Sequence, residues 1–173
     1  ERFPLRAVAR LQATGLRGNI YNPDQFGGFL IWSVYPERRI RILNTGISGN
    51  RVTDLDTRWQ TDVLDLQPNW VSILIGINDV WRHFDHAANP RQVDKDKFER
   101  VYRTLIERTQ PHVKGLVLMA PYFVEANRSD SMSRMMDEYG VVVGKLANEY
   151  KTLFTAVQAG FDEYLKHRPT QSV

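Results

Sequence analysis

Cysteine is missing from the 173-residue chain. That excludes disulfides, thiolate metal ligands and a cysteine nucleophile, but it does not separate a cytoplasmic from a secreted protein, because both kinds dispense with cysteine. No apolar run approaches the ~20 residues a membrane-spanning helix needs, and the first residues carry no signal-peptide-like apolar segment. Internal repeats, low-complexity tracts and an interdomain linker are lacking too. What is present, 42% apolar and 25% charged residues, fits one globular domain over residues 1–173 whose core needs no disulfide or metal staple. The formal net charge of +3 is uneven: residues 1–51 hold eight arginines against three acids, whereas residues 52–173 hold fifteen basic and seventeen acidic groups. Without aromatic-basic interleaving or a recognisable DNA or RNA module, the arginine excess reads as solvated surface, and no nucleic-acid partner is expected.

Apolar runs alternate with helical stripes. Ile40 to Leu43 reads as a short strand before Asn44-Thr45-Gly46. Leu55, Trp59, Val63 and Leu66 recur at helical spacing from Thr53 to Leu66, with Thr53 or Asp54 as the cap. Trp70-Val71-Ser72-Ile73-Leu74-Ile75 suits a strand covered on both faces. Phe98, Val101, Tyr102, Leu105 and Ile106 mark a helix over about 94–110, and Gly115 to Met119 gives another buried strand. Met132, Met135, Met136, Tyr139, Val142, Val143, Leu146 and Tyr150 form a long helical stripe. Leu153 to Val157 then reads as a strand, and Ala159 to His167 as a short helix with Phe161, Tyr164 and Leu165 turned inward. Residues 1–35 show only a short amphipathic stretch around Ala7, Val8 and Leu11, broken by glycines, and no clear first strand. The alternation predicts a three-layer α/β/α sandwich around a mainly parallel sheet.

One feature does not suit a buried strand. Trp70 to Ile75 runs into Gly76-Ile77-Asn78-Asp79, which places polar groups where the strand opens into a loop at its carboxyl end, the edge at which open α/β sheets bind ligands. Asn44-Thr45-Gly46-Ile47-Ser48-Gly49-Asn50 follows the preceding strand in the same way.

These two blocks, separated by one helix and one strand, resemble the second and third blocks of the SGNH, or GDSL, esterase and lipase superfamily, whose fold is flavodoxin-like. Tyr35-Pro36-Glu37-Arg38-Arg39-Ile40-Arg41, Asp54-Leu55-x-x-Arg58-Trp59, Gly76-Ile77-Asn78-Asp79-Val80-Trp81 and Pro121-Tyr122-Phe123-Val124-Glu125 look especially like the bacterial acetylxylan esterase branch. The resemblance implies serine-type hydrolysis of carboxylic esters, with acetylated carbohydrate such as xylan as the leading substrate. The alternatives are a lipase or lysophospholipase-type esterase and an inactive carbohydrate-binding or structural homologue. It also implies that the Gly49 backbone N–H and the Asn78 side-chain amide are oxyanion-hole donors. Acyl transfer develops negative charge on the carbonyl oxygen, and fixed N–H groups stabilise that charge more than they stabilise the ground state. Glycine permits close backbone approach, and asparagine offers two amide hydrogens without a charge. Trp81, Tyr122 and Phe123 are candidate substrate-cleft residues at strand exits. Gly49 and Asn78 have bland rivals as a tight-turn former and as a helix cap or loop tie, and Asn44, Ser48 and Asp79 are candidate loop organisers. The chemistry requires no cofactor and no metal, and the branch implies homo-oligomers.

The pattern also breaks. Gly-Asp-Ser, which carries the nucleophile in the family, does not occur here, and neither does Asp-x-x-His. Asp162 and His167 are five apart rather than three and fall in a helical segment. The expectation is that both blocks belong to terminal segments outside the 173 residues. His83, His86 and His112 read as polar loop or structural groups, and Trp59 and Trp70 as core.

Overall fold

The computed structural model describes residues 20–21, 42–85, 92–125 and 127–167. Its centre is set by two apolar runs, Trp70–Leu74 (β3) and Gly115–Met119 (β4), which pair in parallel over five positions from Trp70 opposite Gly115 to Leu74 opposite Met119. The register begins with a size match. The Trp70 indole lies across Gly115 so closely that a Cβ there would sit 2.4 Å from the ring. Ile20–Tyr21 (β1), Ile42–Leu43 (β2) and Leu153–Thr155 (β5) complete a sheet of order β2-β1-β3-β4-β5, in which every neighbouring pair is parallel.

Helices fill the connections. Val52–Trp59 (α1) continues into a π-helical turn at Gln60–Leu64, and Ile77–Asp85 (α2) starts almost directly from β3. Lys95–Thr109 (α3), Ser131–Glu149 (α4) and Val157–His167 (α5) follow. α3 starts where Asp94 Oδ1 accepts the Lys97 N–H at 2.7 Å, and α4 where Asp130 Oδ1 accepts from Met132 and Ser133. Such caps satisfy donors the helix cannot. The crossovers from β2 to β5 all advance one way along the sheet, so right-handed connection sets their helices on a common face. There α3 packs beside α1 and α4.

The core lies under that face. Phe98, Tyr102, Leu105, Ile106 and Thr109 of α3 form one buried stripe, facing Met136, Tyr139, Val143 and Leu146 of α4 and Val71, Ile73, Leu116 and Leu118 of the sheet. Fully burying each large apolar side chain contributes roughly 1.5–3 kcal/mol. Phe98 is the hub, with ring centroids 5.5 Å from Tyr102 and 4.8 Å from Tyr139. Trp59 donates through Nε1 to Thr109 Oγ1 at 2.9 Å, and Thr109 donates on to the Leu105 carbonyl at 2.6 Å, so both of these side chains are satisfied.

The α/β architecture with a parallel sheet flanked by helices is as the alternation predicts, with corrections in detail. A first strand does exist. Ile20–Tyr21 occupies the place between β2 and β3, held by neighbours on both sides rather than by any periodicity of its own. Burial in β3 alternates, with Val71 and Ile73 deep and Trp70, Ser72 and Leu74 half-buried, although the residue types are apolar nearly throughout. Neither Thr53 nor Asp54 is the N-cap of α1. Arg51 is, and Asp54 reaches back from the first turn to accept the Arg51 N–H at 2.9 Å. Leu66 and Tyr164, expected inside, are 38% and 49% exposed, Leu66 because the helix has ended before it. The stretch around Val8 and Leu11 lies outside the described residues, as does His86.

Candidate active site

With strand order 2-1-3-4-5, the direction of winding reverses at β1, and ligands of such sheets bind at the carboxyl ends of the strands around that switch. The two motif blocks leave β2 and β3, on either side of β1.

The β2 exit, Asn44 to Arg51, is a loop shaped by hydrogen bonds. Asn44 Oδ1 accepts the Gly46 N–H at 2.9 Å, and the Asn50 N–H closes a turn onto the Ile47 carbonyl at 3.2 Å. Ser48 and Gly49 are the central residues of that turn. Gly49 has φ +85°, the sign a type II turn demands at its third position, and a Cβ there would meet nothing within 4 Å. Ile47, Ser48 and Gly49 are all exposed.

The β3 exit is short and buried. Gly76, at φ +133°, is pressed against Pro121 from the β4 exit, and a Cβ there would lie 2.9 Å from the proline ring. α2 follows at once, so Asn78 and Asp79 sit in the first turn of a helix and not in the open loop the sequence suggests. Asn78 donates through Nδ2 to the Asn50 carbonyl at 3.0 Å. The β2-exit loop and the first turn of α2 therefore meet, with Gly49 one residue from the junction. One amide hydrogen of Asn78 is engaged there, and the other has no acceptor among the described residues.

Asp79 is completely buried and receives the Val52 N–H on both carboxylate oxygens, at 3.1 and 3.2 Å, joining α2 to the N-terminus of α1 across 27 residues of sequence. Burial pushes its pKa up to about 7, against the opposing pull of the bonds from the Val52 and Asp79 backbone N–H groups and of the nearby Arg51 charge. Asp54, close by, moves the other way: the Arg51 side chain, bonded at 2.9 and 2.8 Å, holds its carboxyl below the usual range. Two aspartates thus flank one helix start in opposite electrostatic settings.

Trp81 lies one turn beyond Asn78 and is 44% exposed, with the Arg82 guanidinium 4.7 Å from its ring centroid. Ile77 and Phe84 continue an exposed apolar edge of the same helix. Tyr122 stacks on Phe161 of α5 at 4.5 Å, and the Phe123 N–H donates to Gln158 Oε1 at 2.8 Å, so these residues dock the β4 exit on α5. His83 is half-buried, its Nε2 3.1 Å from the Val93 carbonyl, which also accepts from Tyr139. Asp162 is bonded by Gln158 and lies 3.8 Å from Arg128, in the middle of α5. No group of His, Asp or Glu among the described residues is arranged to hold a metal ion. No helix among them is long and apolar enough to cross a membrane.

Sequence reasoning missed two contributors. Arg58, quoted only as part of a motif, bonds the β2 exit at two points, and Asn50 is the common partner of Arg58 and Asn78. The spacing of eight residues between Asn50 and Arg58, which brings a helix's second turn back over its own entry loop, was the available signal.

Residues 19–171 match the family described as GDSL-like Lipase/Acylhydrolase. An acetylxylan esterase from Geobacillus stearothermophilus is 49% identical over 138 residues, which cover 79% of this chain and 63% of that protein. The chain thus spans under two thirds of that curated relative. The crystal structure of an acetylxylan esterase from the same organism superposes with TM-score 0.80 at 40% identity, covering 86% of this chain and 80% of that one. An alpha/beta hydrolase from the Lake Arreo metagenome gives TM-score 0.81 at 37% identity, with coverages of 87% and 81%. Structures of the Geobacillus protein include catalytic mutants in which a histidine, a serine or an aspartate is replaced by alanine.

Proposed function

We propose, from the premise that the chain belongs to the GDSL-like lipase/acylhydrolase family, that it supplies the oxyanion-stabilising groups for serine-type esterase chemistry that removes acetyl groups from carbohydrate such as xylan. The observation that carries this reading is the bond from Asn78 Nδ2 to the Asn50 carbonyl, which brings an N–H-bearing loop and an N–H-bearing helix start to one sheet edge. In the proposed reaction a serine oxygen attacks the ester carbonyl. The carbonyl oxygen takes up negative charge, and the Gly49 N–H and the second Asn78 amide hydrogen donate to it. The ester C–O bond to the sugar then breaks, the sugar oxygen departing as a hydroxyl with the proton that the serine gave up, and water cleaves the remaining acetyl-serine to acetate and free serine. Donors already fixed in place need no reorganisation as that charge develops. The exposed ring of Trp81 gives a sugar a surface on which to stack, and Tyr122 and Phe123 shape the neighbouring strand exit. Asn44, Ser48 and Asp79 keep the loops in register.

The experiment uses the full-length protein. Acetate release from acetylated xylo-oligosaccharide and from a short p-nitrophenyl ester is expected to exceed hydrolysis of long-chain esters. Asn78→Ala is expected to lower kcat by about 100-fold or more with little change in KM. Preference for long acyl chains would favour a lipase-like enzyme, and equal kcat in Asn78→Ala would remove the oxyanion role. No hydrolysis of any ester would favour a carbohydrate-binding homologue.

A further inference from the structure

The loop carrying Gly49 is exposed at residues 46–49 among the described residues, yet it must hold one backbone N–H in place. Its internal bonds, Gly46 to Asn44 and Asn50 to Ile47, shape the turn but do not fix it to the body of the molecule. Arg58 does. From the last turn of α1 its Nη1 donates to the Thr45 carbonyl at 2.7 Å and its Nε to Asn50 Oδ1 at 3.0 Å, gripping the loop on both sides of residues 46–49. Asp62, one helical turn onward, pairs with the same Nη1 and orients the guanidinium. Arg58 is itself mostly buried, with 18% of its side chain exposed. Asn50 is the junction, since its side chain accepts from Arg58 and its carbonyl accepts from Asn78.

We propose that Arg58 is a positioning residue for the reaction: its forked guanidinium splints the Thr45–Asn50 loop and, through Asn50, sets the placement of both the Gly49 N–H and the Asn78 amide. This rests on the proposed oxyanion role of those groups. A planar guanidinium spans two acceptors that a lysine ammonium, a point donor on a flexible stem, cannot hold together. A small displacement of an oxyanion donor weakens transition-state binding more than substrate binding, so the effect belongs in kcat.

The test compares Arg58→Lys, Asn50→Ala and Asn78→Ala, with Arg58→Lys/Asn78→Ala as the double variant, in the full-length protein on a short acetyl ester. Asn50→Ala removes one end of the splint while leaving α1 intact, which covers the case of a poorly folded Arg58 variant. Arg58→Lys is expected to lower kcat by about 10- to 100-fold with KM within about twofold. Amide hydrogen exchange at Gly46 and Asn50, whose N–H groups are bonded within the loop, should quicken while exchange in α3 stays unchanged. Because part of the Arg58 effect runs through the Asn78 amide and the rest through the Gly49 N–H, the double variant should lose clearly less than the product of the two single losses. Multiplying losses, or unchanged loop exchange in Arg58→Lys, would overturn the splint. If Asn78→Ala keeps full kcat, the oxyanion reading fails by itself, and the splint is then decided by loop exchange alone.

Discussion

Two glycines at neighbouring strand exits, Gly49 and Gly76, both have positive φ, and they are glycine for different reasons. Gly76 is enclosed: Pro121 and Phe98 stand where a side chain would go. Gly49 is open, with free space around the missing Cβ. The β3 exit is fixed by close packing. The β2 exit is fixed by side chains reaching over it from α1 and α2. One half of the proposed oxyanion pair therefore draws its precision from the core, and the other draws it from a handful of polar bonds at the surface.

Substitutions can break this contrast. The largest effect is expected at Gly76→Ala, where an unfavourable φ and a clash with Pro121 add, for a loss of about 3 kcal/mol in urea unfolding. Asp79→Ala should cost about 2 kcal/mol, because it leaves the buried Val52 N–H without an acceptor, and the same titration measures it. Gly49→Ala should cost only about 1 kcal/mol of stability, since the strain is conformational alone. Its turnover should nevertheless fall well beyond what the small stability change explains. Equal destabilisation by the two glycine variants would mean that both exits are held in the same way.

A gentler probe uses pH. The folded-state pKa of Asp79 is raised above its unfolded value to about 7, so the folded protein holds the proton more tightly. Its stabilising contribution is full below about pH 4 and is lost as pH rises to about 7. Asp54, its pKa lowered by Arg51, contributes in the opposite sense: its share is present above the unfolded carboxylate pKa and lost as acid protonates it. Chemical unfolding between pH 4 and 8 should show stability falling with pH, and Asp79→Asn should flatten that slope. An unchanged slope would mean that Asp79 is not its origin.

The sequence made β3, β4, α3 and α4 legible, because long apolar runs and a sustained helical stripe each have one reading. It did not reveal β1, since Ile20 and Tyr21 are a strand only by virtue of β2 and β3. The Gly76-Ile77-Asn78-Asp79 block was readable as a site, yet its residues begin a helix, and nothing local shows that Asp79 would be buried against Val52. Long-range partners of this kind lie beyond any periodicity. Arg58 was hidden for a related reason: on the helix pattern it is one more polar position, and only the return of the entry loop gives it Thr45 and Asn50 as partners.

The fit of the Trp70 indole over Gly115 reaches further than the bottom of the sheet. Sliding β4 by a single residue would set Lys114 or Leu116 against that ring, where neither has room. Such a slip would also carry Pro121 about 3.3 Å away from Gly76. The indole thus works as an alignment pin at the far end of the two central strands, and the spacing of the proposed catalytic edge is inherited from a contact at their opposite end.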